Sequence, residues 1–320
     1  DADLNTEMEA YLHALEECRF GRSPRGVFSS GAGNEMYSPA AHLAFNAPAY
    51  LFAGLLIRRE QISGDLLDLG CGSGYDISYL KQKFVPKVRV TGSDRSLPQL
   101  DYAARHYAQR GLIFGCGDNL HLPFKGESFS AVIAIFSILH NTDPPRALDC
   151  LKEISRILKP NGCLIFSTPN REVFQNLYHE NPKNDPQFRF ISRFPHVYTR
   201  EALEAFLMGL TRGDVKLFET VSVTGLANTG FRPAWEATVA LMRKARFGRS
   251  GGVSLLSSLS RRFLPTGLGA WYFYMVLKNV LKRSGISLAD IARSPRTYPE
   301  KDGIQPDQFI VVARKGKHGA

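Results

Sequence analysis

The chain has 320 residues, 44% of them hydrophobic and 22% charged, and a formal net charge of +10. That balance is ordinary for a globular protein with a sizeable core, and no apolar run reaches the ~18–20 residues that a membrane-spanning helix needs. The five cysteines (Cys18, Cys71, Cys116, Cys150, Cys163) form no C-x-x-C pair, which gives no metal signal and suits reduced thiols.

Residues 1–20 are predicted to be helical. Their acidic start (Asp1, Asp3, Glu7, Glu9) has neither a basic nor an apolar leader, so the expected location is cytoplasmic. Gly, Ser and Pro break the pattern through residues 21–48, and a second helix is expected from Ala49 to Arg59. Residues 1–60 are thus a helical segment able to close over a substrate, with Tyr37 a candidate contact from its position.

Leu66-Leu67-Asp68-Leu69-Gly70-Cys71-Gly72-Ser73-Gly74-Tyr75-Asp76 carries the most information. A short apolar strand enters a glycine turn, and Ile77, Leu80 and Phe84 then mark a helix. Glycines permit positive φ and let a ligand approach the backbone, while a helix N-terminus offers unpaired N–H groups. A dinucleotide fingerprint would place a small third residue where Tyr75 stands. Twenty residues after Gly74, a second strand ends in Asp94, placed to accept both ribose hydroxyls of a nucleotide.

Further on, strands are expected at 88–93, 112–115, 131–136 and 163–167, with helices at 75–84, 97–109 and 145–158. Such alternation implies an α/β fold with a parallel sheet covered on both faces. A helix at 199–209 begins with Thr199 as N-cap. Strands at 215–224 and 309–313 follow. Between the last two lies an insertion of roughly 80 residues, longer than a plain loop.

The D-x-G-x-G-x-G run of Asp68 to Gly74 resembles motif I of Rossmann-like S-adenosylmethionine (SAM) methyltransferases. Residues 64–170 are similar to the branch that includes ubiquinone- and menaquinone-biosynthesis enzymes. Gly117-Asp118-Asn119-Leu120-His121-Leu122-Pro123-Phe124 looks like its post-β3 motif, Phe129-Ser130-Ala131-Val132-Ile133 its β4 motif, and Leu158-Lys159-Pro160-Asn161-Gly162 its turn motif. Ser130 stands where the family has Asp, and Asn161 where it has Gly. The resemblance implies a seven-stranded, mostly parallel sheet with the last strand antiparallel, and SAM as cofactor. It implies cofactor binding by Asp68, Gly70, Cys71, Gly72, Gly74, Asp94, Arg95, Asp118, Asn119 and Phe136, with Asp118 and Asn119 near adenine. His140, just beyond the fourth strand, is the candidate general base or a structural histidine. His196 and Trp271 are candidate substrate contacts.

Positive charge is concentrated in residues 226–283, which hold ten Lys/Arg against the single acid Glu236. Aromatic and aliphatic residues such as Leu268, Trp271, Tyr272 and Phe273 lie among them. This composition fits a cap or lid, or an interfacial helix on an anionic membrane. The expected organisation is 1–60, a SAM-binding core at 61–225, a basic helical insertion at 226–306 and a final strand and tail at 307–320. The expected activity is methylation of a small acceptor, through a hydroxyl of a lipophilic or anionic metabolite. An RNA-modifying enzyme, with positive charge drawing phosphates, and a SAM-binding docking protein are the alternatives.

Overall fold

The computed structural model describes residues 2–17, 39–139, 144–173, 198–212, 216–247, 266–298 and 305–317, and only the backbone at 16, 17, 39, 41, 239, 242–247 and 266–274. The elements before the sheet are α1 (Ala2–Glu17) and α2 (Pro39–Arg59). The core runs β1 (Leu66–Leu69), α3 (Tyr75–Lys83), β2 (Val90–Asp94), α4 (Leu97–Tyr107), β3 (Leu112–Cys116), β4 (Phe129–Ile135), α5 (Pro144–Ile157), β5 (Leu158–Pro169), α6 (Arg200–Thr211) and β6 (Thr220–Asn228). Then come α7 (Arg232–Phe247), α8 (Thr266–Ser284), α9 (Leu288–Ala292), β7 (Pro295–Tyr298) and β8 (Gln308–Arg314).

The strands form one sheet in the order β3-β2-β1-β4-β5-β8-β6-β7. β1 to β5 pair in parallel, and β8 runs antiparallel between β5 and β6. The strand count is therefore eight, not the expected seven. The extra strand is β7, antiparallel to β6 with Asn228 opposite Pro295. It lies inside the region expected to be helical, and β6 extends to Asn228, past the expected start of the insertion.

Alternation of side chains sorts the two faces. Leu66, Ala131, Ile133, Ile165 and Ile310 face one way, against α1, α2, α3 and parts of α7 to α9. Leu67, Leu69, Val132, Leu164 and Val311 face the other, against α5 and α6. Burial of both faces explains why these strands read as continuous apolar runs. In α1 the stripe Leu4, Met8, Tyr11 and Leu15 is buried, the spacing of a helix with one face inward. Thr199 caps α6 as expected, its Oγ1 accepting from the Ala202 N–H at 3.2 Å.

Two sequence expectations need correction. The second helix starts at Pro39, ten residues before Ala49, and carries Pro48 in its interior. Pro48 removes one helical donor, but Ala40, Leu43, Ala44, Ala47 and Ala49 are all buried, and tertiary packing outweighs local propensity. The turn expected at Leu158–Gly162 is incorporated into β5, beside a register irregularity between Phe129 and Ala131. Asn161 sits at φ +60°, which is the physical reason a glycine serves well at that place.

Candidate active site

The strand order reverses between β1 and β4, and open α/β sheets bind ligands outside the carboxyl edge at such a point. The glycine loop leaves β1 there. The N–H groups of Gly70 and Cys71 donate to the Ser93 carbonyl at 2.7 and 3.1 Å, and the Gly72 N–H donates to Asp94 Oδ2 at 2.9 Å. Asp94 Oδ1 accepts from the Ser96 N–H at 2.8 Å. The end of β2 thus clasps the loop, and each Asp94 oxygen keeps a lone pair for a further donor.

Gly70 lies at φ +77°, and a Cβ there would meet Ser137 Cβ at 2.5 Å. Only glycine lets the two chain segments pass. The buried Ser137 Oγ has no hydrogen-bond partner among the described residues. Phe136, just before it, is held at φ +50°, an unusual conformation for a bulky residue, with its N–H donating to Ser167 Oγ at 3.1 Å.

Asp68 is fully buried at the end of β1 on the face that meets α2. Tyr50 of α2 donates to its Oδ2 and Oδ1 at 3.0 and 3.2 Å. Burial pushes the Asp68 carboxyl well above the usual carboxylate range; the Tyr50 hydrogen bond opposes this, and negative charge on Asp76 and Asp94 adds to it. Asp76, in the first turn of α3, joins a second contact. His42 Nε2 lies 2.9 Å from Asp76 Oδ1 and 2.8 Å from Tyr11 Oη, and Tyr11 also donates to Asp76. Burial, then Asp76, pushes the Tyr11 hydroxyl up. His42, Asn46 and Tyr50 are four residues apart on α2, so one polar stripe spans the mouth of the glycine loop.

The remaining cofactor candidates divide. Cys71 is buried in the loop, and burial, then Asp68 and Asp94, keeps its thiol protonated. Asp118 is exposed after β3, its Oδ1 accepting from the Leu120 N–H at 3.1 Å. Asn119 donates from Nδ2 to the Ser137 carbonyl at 3.2 Å, tying the post-β3 and post-β4 segments together. Arg95 is exposed beside Asp94. Tyr37, His140 and His196 lie outside the described residues, and Trp271 falls in α8 where only the backbone is described. The sequence reading missed Tyr11, His42, Asn46 and Tyr50. The signal for three of them was a polar residue at every fourth place in an apolar helix.

A shallow cavity of about 270 Å³ lined by Glu60, Ser130, Lys159 and Arg314 opens at the opposite, amino edge. It has none of the glycine loop's features. At the carboxyl edge the residues fit SAM: a glycine cradle, carboxylates suited to its cationic sulfonium and ammonium, and the unpartnered Ser137 hydroxyl.

Residues 66–162 match the family described as methyltransferase domain. The stretch that carries the glycine loop is thus similar to a methyltransferase domain. SAM is the cofactor that the residues at the carboxyl edge fit. Over 114 residues it is 35% identical to the ubiquinone/menaquinone biosynthesis C-methyltransferase UbiE of Desulfotalea psychrophila, covering 35% of this chain and 45% of that one. Over 108 residues it is 37% identical to the probable tRNA methyltransferase 9B of Homo sapiens, covering 33% and 22%. Over 112 residues it is 34% identical to the malonyl-(acyl-carrier protein) O-methyltransferase of Hahella chejuensis, covering 35% and 39%. The chain spans about half the length, or less, of these relatives. Similarity to the first and third is to a C- and an O-methyltransferase, so the methyltransferase domain is common to both reaction types.

Proposed function

We propose that this methyltransferase transfers the methyl group to a hydroxyl of a small acceptor. The observation that carries the reading is the clasp of the Gly72 N–H on Asp94 beneath left-handed glycines at the switch point. A small acceptor is supported by the helices of α1, α2 and α7, which cover the sheet on the side of that loop. A hydroxyl acceptor is supported by the similarity to a named O-methyltransferase.

When bound, SAM supplies a methyl group activated by its sulfonium. Asp94 holds the ribose hydroxyls, the glycine loop lets the backbone approach, and Asn119 fixes the segment that carries Ser137. In-line transfer needs the nucleophile held ~3 Å from the methyl carbon, and orientation supplies much of the rate. A hydroxyl must also lose its proton, and His140 is our candidate to take it. Tyr37, His196 and Trp271 are proposed substrate contacts, residues 226–306 a lid over the acceptor, and residues 226–283 within them an alternative contact with an anionic membrane surface. Among the described residues no helix is long and apolar enough to cross a membrane.

A second reading, methylation of RNA, is favoured by the similarity to the named tRNA methyltransferase. Radiolabelled SAM incubated with enzyme and cell extract, then separated into RNA, protein, polar and organic fractions, decides between them. Enzyme-dependent label in a small-molecule fraction is expected; label in RNA would overturn the first reading.

A further inference from the structure

Gln308 opens β8 at the carboxyl edge, opposite Pro169 of β5. It is 1% exposed. Its Nε2 donates to the Phe45 carbonyl of α2 at 2.7 Å. That carbonyl stands three residues before Pro48, in the turn where the proline removes a helical donor. A carbonyl only accepts, so the orientation of the Gln308 amide is fixed and Oε1 points elsewhere. Oε1 is buried and has no partner among the described residues. The Oδ1 of Asn46, next in sequence to Phe45, is in the same condition.

Buried acceptors left without donors are costly, and each asks for a partner. Gln308 lies three strands from β1, roughly 14 Å at the usual strand spacing, beyond the glycine loop that holds the cofactor. Asn46 sits on α2 between His42 and Tyr50, which reach Asp76 and Asp68 on either side of that loop. The wall beside them is aromatic: the Phe45 ring packs edge-on against Phe231 at 5.6 Å and Trp235 at 5.7 Å.

We infer that Gln308 Oε1, with Asn46 Oδ1, recognises a hydrogen-bond donor on the methyl acceptor, which is an uncharged hydroxyl- or N–H-bearing molecule with an apolar body. An amide oxygen only accepts and so offers nothing to a carboxylate or phosphate. An anionic acceptor is thereby disfavoured. The inference rests on the methyltransferase reading above and narrows it.

The test uses the full chain loaded with S-adenosylhomocysteine and four probes that share one body: para-hexylphenol, para-hexylaniline, para-hexylanisole and para-hexylbenzoate. Calorimetry should show the phenol and the aniline binding about tenfold or more tighter than the anisole and the benzoate, the effect of one satisfied buried acceptor. Gln308→Met should erase that preference and leave S-adenosylhomocysteine affinity unchanged. Asn46→Ala, which spares the Phe45 contact, should reduce it and serves if Gln308→Met does not fold. Equal binding of the anisole or benzoate, a preference that survives these substitutions, or binding of none of the four would overturn the inference. Failure of S-adenosylhomocysteine itself to bind would instead overturn the methyltransferase reading.

Discussion

Tyr50 donates its hydroxyl proton to the carboxylate of Asp68, linking α2 to the acid that precedes the glycine loop. The acid of the motif therefore anchors α2 as well as preceding the glycine loop. Because burial raises the folded-state value of Asp68 above its ordinary one, its contribution to stability is present in acid and lost as pH rises through the raised value. Asp68→Asn should accordingly melt higher than the parent near pH ~8, with the difference closing toward pH ~4. Melting curves across that range check the sign; a constant difference would remove the linkage. The same variant should bind SAM more weakly.

Asp94→Ala should weaken SAM binding by about 10²-fold or more, since it removes charged acceptors for two hydroxyls and releases Gly72. Asp94→Asn keeps one acceptor and should lose less. Calorimetry with SAM measures both, and unchanged affinity would remove the ribose assignment.

Gly70→Ala should cost ~2 kcal/mol or more of stability, from the left-handed backbone and the collision with Ser137. The check is chemical denaturation alongside SAM titration. A variant as stable as the parent would mean that the two segments can separate freely.

His140→Ala should lower turnover by about 10²-fold, with the acidic limb of the pH–rate profile lost, if His140 takes the hydroxyl proton. Stopped assays from pH ~5 to ~9 with a saturating acceptor read this directly. A small loss with an unchanged profile would leave His140 a structural residue.

Arg232 at the start of α7 donates to Asp307 at 2.8 and 3.2 Å, and Asp307 also accepts from the Asn228 N–H at 2.7 Å. Burial raises the Asp307 value and Arg232 opposes this. Arg232→Met should therefore destabilise by about 2 kcal/mol near neutrality, less than a fully buried pair would lose because Arg232 is partly exposed. The deficit should shrink as pH falls and Asp307 takes up a proton, which melting at several pH values would detect.

The glycine loop was legible because its chemistry is local: strand, turn and helix follow within eleven residues, and Asp94 stands at a fixed distance. The amino half of α2 was not, since Pro48 speaks against a helix unless one knows how deeply its neighbours are buried. Gln308, which meets the carbonyl of Phe45, lies far along the chain. Strand β7 was hidden for a similar reason: Pro-Arg-Thr-Tyr has no strand alternation, and only the ladder of β6 makes it one. Asp68 and Asp94 were named as cofactor candidates from the motif and its spacing. Their hold on Tyr50 and Gly72 required coordinates.

β7 also bears on how the molecule behaves in a crowded solution. Without it, the outer side of β6 would offer a row of unpaired N–H and C=O groups to any passing strand. A four-residue strand beginning with proline and followed by Arg296 satisfies that row and makes a poor template for another chain. A truncation that removes the insertion together with β7 would thus be expected to aggregate, for reasons unrelated to methyl transfer; one that spares residues 295–298 would not.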